Sequence, residues 1–206
     1  MKDAVDRLTP LGLMVLALLG EGDMHPYEMI RLMRFRRDDR LVAITNGTVY
    51  HTVARLERVG LLAELGVDRE GNRPERTTYM RTDAGAAAVL EWVRRELPRV
   101  DRPAEFRVAL AEAHNLERAE ATALLRERRV ALAEAHRVVA EGHAGARAKG
   151  VPLQYLLEID RAEALDRAEL EWLDRLIVRI DDPDFPWGSD PEPSDRYIAQ
   201  REAARQ

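Results

Sequence analysis

The side chains best suited to chemistry in this sequence lie between residues 45 and 55. They are hydroxyls, a carboxamide, an imidazole and a guanidinium, all of which form hydrogen bonds with nucleic-acid bases or phosphates. In the major groove of DNA, an amide pairs with adenine and a guanidinium with guanine, each through two hydrogen bonds. The same groups also occur on ordinary solvent-facing helices, so the segment alone does not decide between the two interpretations. The residues of this polar face are Thr45, Asn46, Thr48, His51, Thr52 and Arg55.

A helix over about residues 46–59 must position this face. Thr45 is a suitable N-cap, and Gly60 is the residue type that most often ends a helix. Gly47, in the first turn, would let a phosphate approach the backbone N–H groups and the partial positive charge of the helix N-terminus. Apolar residues at helical spacing predict a stripe that faces the core; they are Val49, Val53 and Leu56.

Residues suited to catalysis or metal binding are sparse. The chain has no cysteine and five histidines, and no two histidines are four residues apart, the spacing of a zinc pair on one helix. His136 and His143 share a helix face two turns apart, but such histidines are more often simply solvated. We therefore expect no enzyme, no metal site and no cofactor. An enzyme with a site distributed over the C-terminal half is the more distant of two alternatives.

Charge is unevenly distributed along the chain. Its 32 Lys+Arg and 37 Asp+Glu give a net charge of −5, which by itself argues against a nucleic-acid partner. Residues 1–100 hold 16 basic and 15 acidic side chains, so the acidity belongs to the second half. Within residues 31–60, seven arginines stand against three acidic residues. A local basic surface of this kind binds phosphate even on an acidic protein.

No segment has the character of a membrane span or a signal peptide. The longest apolar run, residues 11–20, is short of the roughly 18 residues that a span needs. Asp3 and Asp6 interrupt the basic start of a signal peptide, and no small-residue cleavage site follows the apolar run. Together with the lack of cysteine, these features predict a cytoplasmic protein with no membrane partner.

The first 97 residues predict a winged helix-turn-helix. Thr9-Pro10 opens a helix that ends near Leu19, and Pro26 opens a second that ends near Arg37. After the polar helix come a short apolar strand over 61–65, a charged turn, a strand over 76–80 rich in β-formers, and a helix over 82–97. The expected fold class is therefore mainly α with a small β-hairpin wing.

The tip of the hairpin is basic. Arg69, Arg73 and Arg76 lie in or beside it, where they would reach flanking phosphates or the minor groove. Because the wing and the polar helix would then contact one duplex together, we favour double-stranded DNA as the partner.

Four motifs stand out in this region. They are Gly47-Thr48-Val49-Tyr50 with Leu56-Glu57-Arg58-Val59-Gly60-Leu61, His25-Pro26-Tyr27-Glu28, Arg73-Pro74-Glu75-Arg76-Thr77-Thr78-Tyr79 and Thr82-Asp83-Ala84-Gly85. Together they resemble the motifs of the PadR family of transcription regulators. In the second half, Tyr155-Leu156-Leu157 and Glu169-Leu170-Glu171-Trp172-Leu173 resemble more loosely the virulence-activator-like arm of longer PadR members.

The resemblance implies a homodimeric repressor or activator released by a small molecule, with Thr48, Tyr50, Arg73 and Arg76 among the DNA contacts. For Tyr50, packing of the ring beside the core stripe is an equal alternative to a phosphate contact. At Asn46 the family often has Pro or Ser, so its base preference does not carry over.

The second half predicts an antiparallel helical arm over residues 98–180. Asn115 would cap a long helix that fades near Gly142 and Gly145, and Pro152 would begin another that reaches Ile180. The apolar stripe of this last helix is too wide for one neighbour to cover, and exposed apolar patches usually mark interfaces. A self-contained helical hairpin is the alternative to dimerisation. The expected dimer contacts are Leu156, Leu157, Trp172, Leu173 and Leu176.

The remaining predictions concern the tail, an effector and the function. Residues 181–206 contain four prolines and predict a largely irregular tail, with at most a short, weak helix over 195–205. Trp92 and Trp172 are expected in the core, and lining a small-molecule pocket is their alternative role. We predict a sequence-specific regulator, a repressor that binds an inverted repeat as a homodimer and is released by a small hydrophobic or aromatic effector. The nearer alternative is a winged-helix adaptor that binds proteins and no DNA.

Overall fold

The computed structural model describes residues 8–68, 76–188 and 195–205. By its internal contacts the chain divides into two compact units. The winged unit comprises Met1–Val93, Arg107–Glu112 and Ser189–Gln206, and the arm unit comprises Arg94–Phe106 and Ala113–Gly188. This division places residues 107–112 and the C-terminal segment with the winged unit, whereas we had expected boundaries after residues 97 and 180.

The described elements are mostly helical, and one antiparallel hairpin interrupts them, which confirms the expected fold class. Short 3-10 turns lie at Asp38–Arg40, Ala113–Asn115 and Leu153–Tyr155. In chain order the elements are α1 (Pro10–Leu18), α2 (Pro26–Phe35), α3 (Asn46–Arg58), β1 (Leu62–Asp68), β2 (Arg76–Arg81), α4 (Asp83–Glu96), α5 (Pro103–Ala111), α6 (Arg118–Ala148), α7 (Leu157–Asp181) and α8 (Asp195–Arg205).

The first two helices begin as their sequences predict. The Thr9 hydroxyl caps α1 by accepting a hydrogen bond from the Gly12 N–H at 3.2 Å. His25 caps α2, its Nδ1 accepting from the Glu28 N–H at 2.9 Å. Each cap precedes a proline at the first helical position, where the missing N–H costs nothing.

Helix α1 forms the centre of the winged unit. Leu13, Val15 and Leu16 have no exposed surface, in keeping with a helix that is apolar all round. Trp92 is also buried, and its indole N–H donates to the Leu8 carbonyl oxygen at 3.1 Å. Trp92 is therefore a core residue, as expected.

Strand β2 of the hairpin forms a pair of backbone hydrogen bonds with the segment between α1 and α2. Strands β1 and β2 pair antiparallel from Leu62–Arg81 outward, with an irregularity between Glu64 and Gly66. Strand β1 extends to Asp68, three residues beyond the predicted strand. Met24, between α1 and α2, exchanges two backbone hydrogen bonds with Tyr79 of β2, at 3.2 and 3.0 Å.

In the arm unit, α6 packs against α7 along its length. Helix α6 continues through Gly142 and Gly145 to Ala148, so the predicted end near those glycines is wrong. Each glycine weakens a helix by about 1 kcal/mol, which packing against a neighbouring helix can offset. Asn115 lies in a 3-10 turn and does not cap α6, whose N-cap is Glu117.

A buried arginine holds three segments of the arm unit together. Arg128 is 2% exposed, and its guanidinium donates to Oε1 of Glu169 at 2.6 and 2.9 Å. The same guanidinium lies 3.4 Å from the centre of the Phe106 ring and donates to the Arg99 carbonyl oxygen. This is the arrangement that a buried cation requires, because an unpaired charge in the interior is costly.

The C-terminal helix packs on the winged unit. Nε of Arg201 lies 3.1 Å from Oε1 of Glu28, and Nη2 donates to the Asp23 carbonyl oxygen at 3.1 Å. Both side chains of this ion pair are at least nine-tenths buried, and Ala204 is fully buried. Residues 195–205 are thus a helix where a short, weak one was expected, and its packing on the rest of the winged unit was not predicted.

Within the three described ranges, no helix is both long enough and apolar enough to cross a membrane.

Candidate nucleic-acid interface

Two threonines fix the first turn of α3. The Thr48 N–H donates to the Thr45 hydroxyl at 3.2 Å, and the Thr45 N–H donates to the Thr48 hydroxyl at 3.1 Å. This reciprocal cap satisfies two donors that a helix N-terminus otherwise leaves free. Both side chains remain exposed. Thr48 therefore has a structural role in addition to the DNA contact expected of it.

The outward face of α3 is exposed over most of its expected residues. Asn46, Gly47 and His51 lie on the surface, and Tyr50 is half-exposed. Thr52 is buried, and its assignment to this face is wrong. It lies three residues after Val49 and four before Leu56, so helical periodicity places it beside the core stripe. The core positions of α3 themselves are confirmed as Val49, Val53 and Leu56.

Arg55, two turns along the same face from Thr48, is half-buried. Its Nη2 donates to the Thr9 hydroxyl oxygen at 3.1 Å. This hydrogen bond joins the guanidinium to the N-cap residue of α1. The contact with Thr9 could not be predicted, because the two residues are 46 positions apart and Thr9 was identified only as a cap.

Gly47 faces open space. A Cβ atom at this position would meet nothing within 4 Å, so no neighbour within the described residues requires a glycine here. Glycine lowers helix stability relative to alanine. Its presence in the first turn is therefore consistent with the close approach of an external partner.

The wing arginines cannot be placed. Arg69 and Arg73 lie outside the described residues, and of Arg76 only the backbone position, the first residue of β2, is described. Their expected contacts with a duplex remain predictions.

The basic surface of residues 31–60 is partly neutralised. Arg36 pairs with Glu21 at 2.7 Å, and Arg37 lies 3.5 Å from Asp39. Burial raises the pKa of the Asp38 carboxyl, against which the neighbouring Arg36 and Arg40 lower it. Some of the arginines that we expected to bind phosphate thus form ion pairs within the protein.

Two of the five expected dimer residues are already buried within the chain. Leu156 and Leu173 are buried in the protomer, so their side chains do not face a second copy, which corrects their assignment. Leu157 is 67% exposed, and Trp172 and Leu176 are half-buried. Further exposed apolar residues of this unit are Leu153, Tyr155 and Leu165.

A polar groove of about 530 Å³ lies between α6 and α7. On its wall the His143 Nδ1 lies 2.7 Å from Oε2 of Glu163, whose Oε1 accepts from Arg167 at 2.6 Å. The hydrogen bond with His143, together with Arg167, lowers the pKa of Glu163. No group of three or more metal-ligating side chains occurs in the part of the chain that the structure describes.

Three helices, of which the third is capped and presents a polar face, followed by an antiparallel hairpin and a fourth helix, define a winged helix-turn-helix protein. Residues 15–91 match the family model described as the transcriptional regulator PadR-like family, so the resemblance drawn from the motifs is confirmed for this region. No curated protein matches the chain.

Several solved structures, two of them of PadR from Bacillus subtilis, are similar to the chain. PadR from Bacillus subtilis in complex with operator DNA is 18% identical, with 83% of this chain and 99% of that chain covered and a TM-score of 0.40. The protein smu.1604c from Streptococcus mutans UA159 is 19% identical, with 81% and 98% covered and a TM-score of 0.39. PadR from Bacillus subtilis in complex with p-coumaric acid is 18% identical, with 85% and 98% covered and a TM-score of 0.37.

Proposed function

We propose that this protein is a sequence-specific DNA-binding repressor that acts as a homodimer on an inverted repeat. The observation that carries the proposal is the exposed polar face of α3, formed by Asn46, Gly47, Tyr50 and His51 on a helix whose other side is buried. The major groove admits one α-helix, and in a helix-turn-helix protein the opposite face of that helix rests on the domain core. The match of residues 15–91 to a family of transcriptional regulators supports the same function.

The roles of the individual residues follow from their positions. Asn46 and His51 face base edges, while Thr48, Tyr50 and Arg55 contact phosphates or bases, and the bare backbone at Gly47 lies against the sugar–phosphate chain. Arg73 and Arg76 of the wing reach the flanking phosphates or minor groove. The cap residue Thr45 holds the N-terminus of α3, whose free N–H groups and partial positive charge add to phosphate binding.

A second copy is required because one winged helix covers few base pairs and does not outcompete the non-specific sites of a genome. We propose that the two copies meet through the exposed apolar residues of α7 and the turn before it. Leu165, Trp172 and Leu176 recur at seven and eleven residues, so they share one helical face. Leu157 and Tyr155 extend this surface.

The regulator is released from DNA, we propose further, by a small hydrophobic or aromatic effector. This step rests on the family resemblance. Because the proposed target is the chromosome, the protein acts in the cytoplasm.

The test is binding to duplex DNA as a function of salt. A duplex is selected from a random library against the full-length protein, and its affinity is measured between 50 and 200 mM salt, where six to ten phosphate contacts cost about 10³–10⁵ in affinity. We expect a steep salt dependence, a palindromic consensus, and weaker binding by Arg55→Ala and Arg73→Ala. If no duplex is enriched, the protein is not a DNA-binding regulator, and binding of a protein partner through α3 becomes the function to test.

A further inference from the structure

We propose that Thr9 is a positioning residue for DNA binding, which holds the Arg55 guanidinium in place on the outward face of α3. The proposal rests on the proposed function, in which Arg55 contacts DNA. Nothing in the family match assigns such a role to this residue, since the matched region begins at residue 15.

The geometry places one oxygen atom between two elements. The Thr9 hydroxyl accepts from the Gly12 N–H at 3.2 Å and from Nη2 of Arg55 at 3.1 Å. A hydroxyl oxygen has two lone pairs, so both bonds form at once. The cap of α1 and the side chain of α3 therefore share an acceptor.

The guanidinium also lies close to the first turn of α1. A Cβ atom added at Gly12 would stand 3.4 Å from Nη2 of Arg55, which is an ordinary van der Waals distance. The guanidinium thus lies against the bare backbone of α1, at the oxygen of Thr9.

Arg55 belongs to the part of α3 that would face a duplex. Thr48, His51 and Arg55 recur at three and seven residues and so share one helical face. A long arginine side chain that is free in solution loses rotamer freedom when it binds a phosphate, and fixing it beforehand reduces that loss. The bond from Thr9 supplies this fixation without a change in the charge of the guanidinium.

The test separates the cap from the contact with Arg55 through three substitutions in the full-length protein. Glycine retains most of the stability of an N-cap but has no hydroxyl, alanine loses both the cap and the hydroxyl, and serine keeps both. The probe is the duplex selected against the wild-type protein. We expect Thr9→Gly and Thr9→Ala to weaken binding alike, by about 3- to 10-fold, and Thr9→Ser to bind as the wild type does.

The same substitutions are then made in Arg55→Ala. If Thr9 acts through Arg55, neither Thr9→Gly nor Thr9→Ala weakens binding further in this background. The proposal is overturned if Thr9→Gly binds as tightly as the wild type, which would leave Thr9 only as a cap, or if it weakens Arg55→Ala as much as it weakens the wild type. These results differ from failure of the proposed function, in which the wild type itself enriches no duplex. Thermal unfolding of each variant confirms that binding is measured on folded protein.

Discussion

Side chains on the outward face of α3 divide into those that the protein itself uses and those that only a partner would use. The Thr48 hydroxyl completes the helix cap, and Arg55 is bound by Thr9. Asn46 and His51 lie on the surface among the described residues, and Gly47 has open space before it. We therefore expect substitutions in the second group to change DNA binding and stability independently of each other.

Gly47→Ala is expected to stabilise the protein and to weaken its binding to DNA. Alanine is favoured over glycine in a helix by up to about 1 kcal/mol, and the added Cβ meets nothing in the folded chain. On a duplex, the same methyl group would occupy the space of the approaching backbone. The two effects are measured by thermal unfolding and by fluorescence anisotropy with a labelled duplex.

Gly85→Ala is the matched control. Here a Cβ atom would collide with the backbone carbonyl oxygen of Leu61, so the substitution should lower stability. An unchanged affinity for DNA in Gly47→Ala would show that no partner approaches α3 at this point.

For single residues, the sequence predicts which side of a helix they occupy better than it predicts their contacts. The stripe of Val49, Val53 and Leu56 follows from helical spacing alone and is confirmed. Thr52 was misplaced because its polar side chain suggested exposure, whereas its position in the helical period puts it beside that stripe. The bond between Arg55 and Thr9 depends on how α1 and α3 cross, which no local pattern specifies.

Among the elements, the C-terminal helix α8 has the bounds that the sequence predicts, but its packing on α2 was not predicted. It contacts α2 through the buried pair of Arg201 and Glu28, and Nη1 of Arg201 is buried with no hydrogen-bond partner among the described residues. Buried ion pairs of this kind contribute little net stability, but removal of one partner strands the other charge. The sequence predicts a short helix here but not its packing, because proline marks where a helix stops and not where a later segment packs.

Glu28→Gln should therefore destabilise the protein by about 3 kcal/mol, since it leaves the Arg201 guanidinium buried without its counter-charge. The double variant Glu28→Gln with Arg201→Met should recover most of this loss, because it removes the stranded charge as well. Urea unfolding of the two variants and of the wild type measures both effects. Equal stability of the single and double variants would mean that the pair is not formed.

Ion pairs between α6 and α7 should make the stability of the arm unit depend on acid pH. The hydrogen bond to Arg129 lowers the pKa of Asp174, and the hydrogen bond to His143 lowers that of Glu163. For a carboxyl whose pKa is lower in the folded state, the stabilisation is present above the unfolded pKa and disappears as the pH falls through the folded one. We expect thermal stability to fall as the pH drops below about 4.5.

The pH dependence of unfolding is compared with that of Asp174→Asn and Glu163→Gln, which should be flatter. Asp166 acts in the opposite direction. Burial raises its pKa, so its contribution to folding stability grows as the pH falls. A wild-type profile no steeper than that of the two variants would contradict the assignment.

For the molecule as a whole, the proposed dimer makes DNA affinity depend on residues far from α3 in the sequence. Leu165→Glu places a charge on the proposed interface and should yield monomers that bind DNA much more weakly, because the two half-sites then bind separately. Val130→Glu is the control, since Val130 is a similarly exposed apolar residue on α6. Light scattering and the anisotropy assay measure the two properties.

If Leu165→Glu still forms dimers and binds DNA as the wild type does, the interface lies elsewhere in the chain. The sequence predicts that this region has more apolar residues than one neighbouring helix can cover, but not which of them are exposed. Leu173 and Leu156 are covered by neighbours in their own chain, and only the packing of α6 on α7 decides which leucines remain exposed.

The paired backbone hydrogen bonds between Met24 and Tyr79 have a mechanical consequence. They join strand β2 to the residue that precedes the cap of α2, so a displacement of the wing by a duplex is passed to α2 directly through this pair of hydrogen bonds. The hairpin and the start of α2 should accordingly move together when the wing contacts a duplex.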